Sequence, residues 1–223
     1  MISSRDLEKH YLDAEKLIIE DVKVLNSFIL AKKEPMEGNC FYLNHQEDLS
    51  ILPELLIHKR INFFTLLKER YVKKMIEIGF NAGHSASIFL HALPKDSIFL
   101  PFDLCEHSYT KECHNYLQTK YPQLHPMMEG DSMKTLPAFI NQHPSEIGTY
   151  DVVHVDGGHS QEVCISDLNG AHLLLKPGGI LILDDTFIPE IMAIIPSLLN
   201  LGYRMLFQIP TIKYPHILFE KPL

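Results

Sequence analysis

The sequence has no apolar run approaching the roughly 20 residues of a membrane span, so no membrane association is expected. Its opening stretch, MISSRDLEKHYLDAEK, is too polar for a secretory signal. Basic residues are outnumbered, with Lys plus Arg at 20 against Asp plus Glu at 28 and a formal net charge of −8. That balance argues against nucleic acid as a partner, because phosphate binding needs a basic face. Cysteine is sparse: Cys40, Cys105, Cys113 and Cys164 form no CxxC pair, which reads as free thiols in a reducing, cytoplasmic compartment. The 13 histidines form no HxxxH or HxH cluster, and only His159 takes a place in a motif. There is no internal repeat and no low-complexity segment.

What is present is enough apolar residue for a full core. At 223 residues, 46% of them hydrophobic, the chain is expected to form one α/β domain over residues 1–223. The stretch that organises it is DVVHVDGGHSQEVCISDLNGAHLLLKPGGILILDDT at 151–186. Val152, Val153 and Val155 form a short β-branched run, as a strand buried on both faces does. DGGH at 156–159 breaks it. From 161 to 175, Val163, Ile165, Leu168, Ala171, Leu174 and Leu175 recur at three- and four-residue steps, an amphipathic helix. KPGG at 176–179 stops that helix, and 180–183 is a second buried strand ending in Asp184 and Asp185.

This is a βαβ unit with parallel strands. If the strands are neighbours, their carboxyl ends lie about 5 Å apart, which brings Asp156 beside Asp184 and Asp185 at the edge where open α/β sheets bind ligands. Three converging carboxylates repel one another unless a cation joins them, and oxygen-only ligands suit a hard ion such as Mg²⁺. The plainer reading is that Asp156 and Asp185 cap the segments that follow them.

Before this unit, a helix is expected over 4–32, with Ser3 or Ser4 as cap, an apolar stripe of Leu7, Tyr11, Leu17, Ile18, Val22, Leu25, Phe28 and Ile29, and Pro35 beyond its end. Residues 37–50 are irregular around Gly38, Asn39 and Asn44, and a second helix covers 53–70. Residues 1–70 thus form a helical cap or a homodimer surface on an α/β core at 71–223, being too short for a core of their own. The first strand, 72–79, carries Glu77 near its end and enters the glycine turn of Gly79, Phe80, Asn81, Gly83 and Ser85 ahead of a helix. Such a turn lets a ligand approach the backbone beside the positive end of the helix. Its spacing is GxxxG: Asn81 stands where the dinucleotide fingerprint GxGxxG has glycine, and no GK[ST] of a P-loop follows.

The second strand, 97–102, is followed by Asp103, at the spacing where an acid from the second strand can accept both ribose hydroxyls, or else a strand-end cap. A third strand covers 125–129, and Asp131 with Ser132 either meets an adenine edge or caps the helix over 133–140. A helix over 189–201 and strands over 203–209 and 216–219, paired as an antiparallel hairpin, close the chain.

The ordered set EIGFNAGHS at 77–85, Asp103, GDS at 130–132 and the 151–186 stretch resembles the class I S-adenosylmethionine-dependent methyltransferases. Within that class, DGGH and DDT resemble the metal-dependent small-molecule O-methyltransferases of catechol and macrolide-sugar (macrocin) type. The resemblance implies a Rossmann-like seven-stranded sheet, mostly parallel with an antiparallel last strand and helices on both faces. It implies that Glu77, Gly79 and Gly83 hold the methionine end of the cofactor, with Phe80, Asn81, Ser85 and Asp156 in contact, Asp103 its ribose, and Asp131 with Ser132 its adenine. It further implies Mg²⁺, or another divalent cation, on Asp156, Asp184 and Asp185, with His159 at the position of the base.

The expected reaction is methyl transfer to a hydroxyl of a small sugar or phenol, since a divalent ion lowers the pKa of a bound hydroxyl and His159 can take its proton near neutral pH. The alternatives are a nicotinamide-dependent oxidoreductase on a related fold, which the missing glycine disfavours, and a non-catalytic or partner-dependent cofactor-binding protein.

Overall fold

In the computed structural model the described residues are 4–34, 37 and 40–223, with side chains from residue 8 onward. The capping side chains of Ser3 and Ser4, the Leu7 side chain, Pro35, Gly38 and Asn39 lie outside them. A 29-residue helix α1 (Ser4–Lys32) and helix α2 (Ile57–Glu69) precede the first strand. Then β1 (Lys74–Ile78), α3 (His84–Ala92), β2 (Ile98–Asp103), α4 (Thr110–Lys120), β3 (Met128–Glu129), α5 (Ser132–Gln142), β4 (Tyr150–Val155), α6 (Gln161–Leu174) and β5 (Leu175–Leu183) alternate. Two short helices, α7 (Pro189–Met192) and α8 (Ile195–Asn200), lead to β6 (Arg204–Met205) and β7 (Ile217–Glu220).

The seven strands form one sheet in the order β3-β2-β1-β4-β5-β7-β6. The first five pair in parallel, and β7 runs antiparallel to both β5 and β6. The order reverses between β1 and β4, so a crevice opens there at the carboxyl ends of the strands. β4 sits beside β5, with Val153 opposite Leu181 and Val155 opposite Leu183, as the βαβ reading requires.

Because side chains alternate along a buried strand, the sheet feeds two cores. On one face Met75, Val152 and Ile182 pack with Tyr11, Val22 and Leu25 of α1, Phe63 of α2 and Phe89 of α3. On the other, Ile76, Val153 and Leu181 meet Leu136 of α5 and Leu168 and Ala171 of α6. The inner stripe of α1 is therefore spent on its own chain. Two residues assigned to apolar stripes face outward instead: Leu17 is 54% exposed and Ile165 41%, and Cys164 and Asp167 take the inward positions of α6.

The strands expected over 125–129 and 203–209 shorten to β3 and β6, the second helix begins at Ile57, and two further boundaries differ for identifiable reasons. The helix expected over 189–201 is broken into α7 and α8, because Pro196 has no N–H to offer the carbonyl four residues back. KPGG does not form a loop between α6 and β5 but lies within the strand: Tyr150 pairs with Leu175 and Val152 with Ile180, so the extra residues form an irregularity in the ladder.

A buried carboxylate locks α1 to the core. Asp21, fully buried, accepts hydrogen bonds from His91 Nε2 at 3.0 Å, Tyr116 OH at 2.7 Å, Lys120 and Tyr121. Burial opposes its charge, but these donors outweigh it and hold the carboxyl well below the usual range. Asp21→Ala leaves four donors without their acceptor, so it should cost about 3 kcal/mol. The urea midpoint should fall at an unchanged slope, read by circular dichroism.

Candidate functional site

A cavity of about 990 Å³ runs along the carboxyl ends of the parallel strands. Gly79, Asp103, Asp131, Asp156 and Asp185 line it from the strand ends, and Cys40, Asn44, His45 and Lys59 line it from the segment before β1.

The glycine turn after β1 is dictated by backbone crowding. Gly79 has φ +95°, and a Cβ there would lie 1.9 Å from the carbonyl oxygen of Asp156 at the end of β4. Gly83, with φ +77°, packs against the Phe80 ring, 2.7 Å from where its Cβ would be, and does not line the cavity. Between them Asn81 adopts φ +49°. Its amide donates to Asp103 at 2.7 Å, its side-chain oxygen accepts from Tyr109 OH at 2.7 Å, and its side-chain nitrogen donates to Glu37. Asp103 also accepts from the Cys105 amide at 2.7 Å, so it both borders the cavity and fixes the loops around it. Burial lifts its pKa, with the backbone amides pulling the other way.

The remaining expected cofactor residues divide. Phe80, Ser85, Asp131 and Ser132 line the cavity. Asp131 is also the N-cap of α5, accepting from the Met133 amide at 3.0 Å, as the capping reading expects. Glu77 is fully buried behind Ser85, whose hydroxyl donates to it at 2.5 Å, and its Oε2 has no partner among the described residues.

The expected trio of carboxylates is split. Asp184 turns inward, 1% exposed, and does not line the cavity. Its Oδ1 accepts from Lys59 Nζ at 2.7 Å and from the Asp185 amide at 2.8 Å, and its Oδ2 lies 3.1 Å from His154 Nε2. The other ring nitrogen of His154 lies 3.0 Å from Glu77. Burial disfavours charge on His154, but Asp184 and Glu77 outweigh it and lift its pKa to about 10. Burial likewise opposes charge on Asp184, yet Lys59 and His154 hold it far below the carboxylate range.

A buried row of Ser85, Glu77, His154, Asp184 and Lys59 therefore crosses the ends of β1, β4 and β5, with charges alternating in sign. Neither His154 nor Lys59 was singled out in the sequence. The signal for His154 was its position directly across from Glu77 in the β1–β4 register, visible only once the strands are paired.

Asp185 faces the cavity instead, with φ +49° at the strand end, and His159 Nε2 meets its Oδ2 at 2.9 Å. That hydrogen bond is the main reason the His159 pKa is raised, and its side chain remains 54% exposed. Asp156 is pushed well above the usual carboxylate range by burial and by the like charges of Asp184 and Asp185. Two groups of ligand atoms lie within 4.8 Å of one another: His154, Asp156 and Asp184 inside, and Asp156, His159 and Asp185 on the cavity side. The inner group does not fit a divalent ion, because both Asp184 oxygens already accept protein hydrogens. The outer group offers two carboxylates and an imidazole to the cavity and fits one.

All four cysteines are free, and no described helix is long and apolar enough to cross a membrane. A family profile described as "Methyltransferase domain" matches residues 76–186. No curated protein matches the sequence. Among solved structures, a candidate caffeoyl-CoA O-methyltransferase from Staphylococcus aureus aligns with a TM-score of 0.65 at 16% identity, covering 96% of this chain and 98% of the other. Cofactor-bound Rv0187 from MTB aligns at 0.63 and 12% identity, covering 91% and 89%. The O-methyltransferase TomG from Streptomyces achromogenes, involved in tomaymycin synthesis and solved in complex with SAM, aligns at 0.58 and 18% identity, covering 77% and 83%. At these identities the likeness is one of fold.

One buried acid beneath the site generates a prediction. Asp167 of α6 is fully buried, its carboxylate 2.8 Å from where a Cβ on Gly157 would lie, and neither oxygen has a hydrogen-bond partner among the described residues. Burial lifts its pKa to about 6. The folded state therefore holds this proton more tightly than the unfolded one. The stability it contributes is complete below about pH 4, where the unfolded acid titrates, and is lost as pH rises through about 6. Asp167→Asn should raise Tm by a few degrees at pH 8 and leave it unchanged at pH 4, read by calorimetric melting at both.

Proposed function

The chain is a class I S-adenosylmethionine-dependent methyltransferase, and from that premise we propose that it methylates a hydroxyl of a small molecule, with His159 as general base. The observation that carries this reading is the His159–Asp185 pair, 2.9 Å apart, on the wall of a cavity that also holds the glycine turn and Asp103.

The residues present suit the cofactor. S-adenosylmethionine, when bound, would supply an electrophilic sulfonium methyl, with a neutral thioether as the leaving group. Asp103, at the end of β2, offers carboxylate oxygens to the ribose. Asp131 and Ser132, which line the cavity at the start of α5, would hold the adenine. Ser85 and the backbone of the Gly79–Gly83 turn border the methionine end near the start of α3, where exposed amides favour a carboxylate. The unpartnered Oε2 of Glu77 suits a buried ammonium close by.

The acceptor oxygen attacks along the axis of the breaking carbon–sulfur bond, and its proton must leave. With the Nε2 hydrogen of His159 donated to Asp185, Nδ1 is the nitrogen left to accept it. Asp185 orients the ring and stabilises the imidazolium as it forms. The walls hold oxygen and methyl in line, which lowers the barrier by removing rotational freedom in advance. A divalent cation such as Mg²⁺ would be held by the carboxylates of Asp156 and Asp185 and would supply Lewis acidity to a nearby oxygen. The acceptor is a sugar or a phenol, and the Phe187 and Tyr214 rings, 5.9 Å apart on the cavity wall, offer such a molecule an apolar surface.

Calorimetric titration of S-adenosylmethionine should show binding to the native chain that Asp103→Ala weakens at least tenfold, with the fold checked by circular dichroism. A native chain that binds none sinks the reading. With an acceptor found by screening hydroxylated metabolites, His159→Gln should lower transfer of labelled methyl about 100-fold while cofactor affinity stays within about twofold. Full turnover in that variant would remove His159 from the mechanism.

A further inference from the structure

The carboxylates that pointed to a metal already have a cation, supplied from outside the strand ends. Lys59 lies on α2, and its side chain is 3% exposed where it meets the 1%-exposed side chain of Asp184. Burial favours the neutral amine, but Asp184, with Asp156 and Asp185 further off, keeps the ammonium charged. Its surroundings are the Phe63 ring, 5.7 Å from Nζ, together with Cys40, His154 and His216. The Nζ atom carries three hydrogens, and among the described residues only Asp184 accepts one. Lys59 also lines the cavity, whereas Asp184 does not.

Burying an ammonium costs more than an apolar side chain of equal size would at a purely structural position. A metal ion ligated through Asp184 Oδ1 would have to displace Lys59 and then sit against its ammonium as well as the imidazolium on Oδ2. The same point of the fold cannot hold both arrangements.

We propose that Lys59 is the resident cation of this site, standing where the carboxylates would otherwise require a divalent ion, and that Asp184 ligates no metal. Resting on the methyltransferase reading, the consequence is that an acceptor oxygen entering beside His159 finds a fixed ammonium on the cavity wall. An ion at Asp156 and Asp185 would be a separate matter, independent of Asp184.

The test is titration of Mn²⁺ into metal-free protein, with unbound Mn²⁺ counted by electron paramagnetic resonance. In the native chain, whatever Mn²⁺ is bound should be unchanged by Asp184→Asn. Lys59→Met should gain a site at least tenfold tighter than any in the native chain, and the double variant Lys59→Met/Asp184→Asn should lose that gain. Native binding that Asp184→Asn weakens tenfold or more overturns the proposal, as does a folded Lys59→Met that gains no site. Should Lys59→Met fail to fold, the native chain against Asp184→Asn still decides. Cofactor calorimetry on the same native sample reports separately on the methyltransferase reading, so the failure of one leaves the other standing.

Discussion

The constraint on which the active end of this molecule depends is charge neutrality at the carboxyl edge of the sheet. Glu77, Asp156, Asp184 and Asp185 all lie at the ends of adjacent strands, and Glu77 and Asp184 are fully out of water. Unpaired carboxylates in that position would titrate upward or open the structure. They are met instead by a row in which an imidazolium bridges Glu77 and Asp184 and an ammonium closes the far end; Asp184, between two cations, is held down, while burial still lifts Glu77. Asp156, outside the row, shows the contrast: with no hydrogen-bonded cation among the described residues it is pushed well up, while Asp184, with two, is held far down.

The row also joins two functional regions by contact. Its first member, Ser85, opens the turn of α3 beside the glycine loop, and its last, Lys59, borders the other end of the cavity. The glycine loop in turn rests on the strand that carries Asp156, since the missing Cβ of Gly79 is what lets the two backbones pass. Asp103 ties the same loop to β2 through the Asn81 amide. The glycine turn, the strand-end acids and Lys59 are thus positioned through connected hydrogen bonds rather than by independent loops.

How much of this could be read from the sequence follows from the range of each interaction. The βαβ unit at 151–186 was legible because its signals are local: a β-branched run, a glycine break, a helical period and a second apolar run. The seven strands and the antiparallel close were legible for the same reason, as were Asp156 and Asp185 at strand ends beside the cavity. Boundaries failed where a local signal was overruled, at the KPGG irregularity inside β5, or passed over, at Pro196 between α7 and α8. Lys59 and His154 were illegible. A lysine in an amphipathic helix reads as solvated, and a histidine within VVHVD reads as one polar interruption in an apolar run. Their partners are 125 and 77 residues away, and only strand order and helix docking bring them together.

That distance bears on how the chemistry is divided along the chain. The family match spans residues 76–186, which holds the glycine turn, Asp103, Asp131, Asp156, His159 and all of the strand-end acids. Lys59 lies before it, on a helix that packs on α3 and contributes Phe63 to the same core as the sheet. So do Cys40, Asn44 and His45, which line the cavity from the same side. The matched segment carries the glycine turn, Asp103 and the His159–Asp185 pair on the cavity wall. The preceding residues carry what meets the rest of the cavity, including the one buried cation on its wall among the described residues. A helix that both completes the core and balances the charge of the strand ends cannot be removed without unmasking Asp184. The N-terminal segment is in this sense as much a part of the site as the strands it covers.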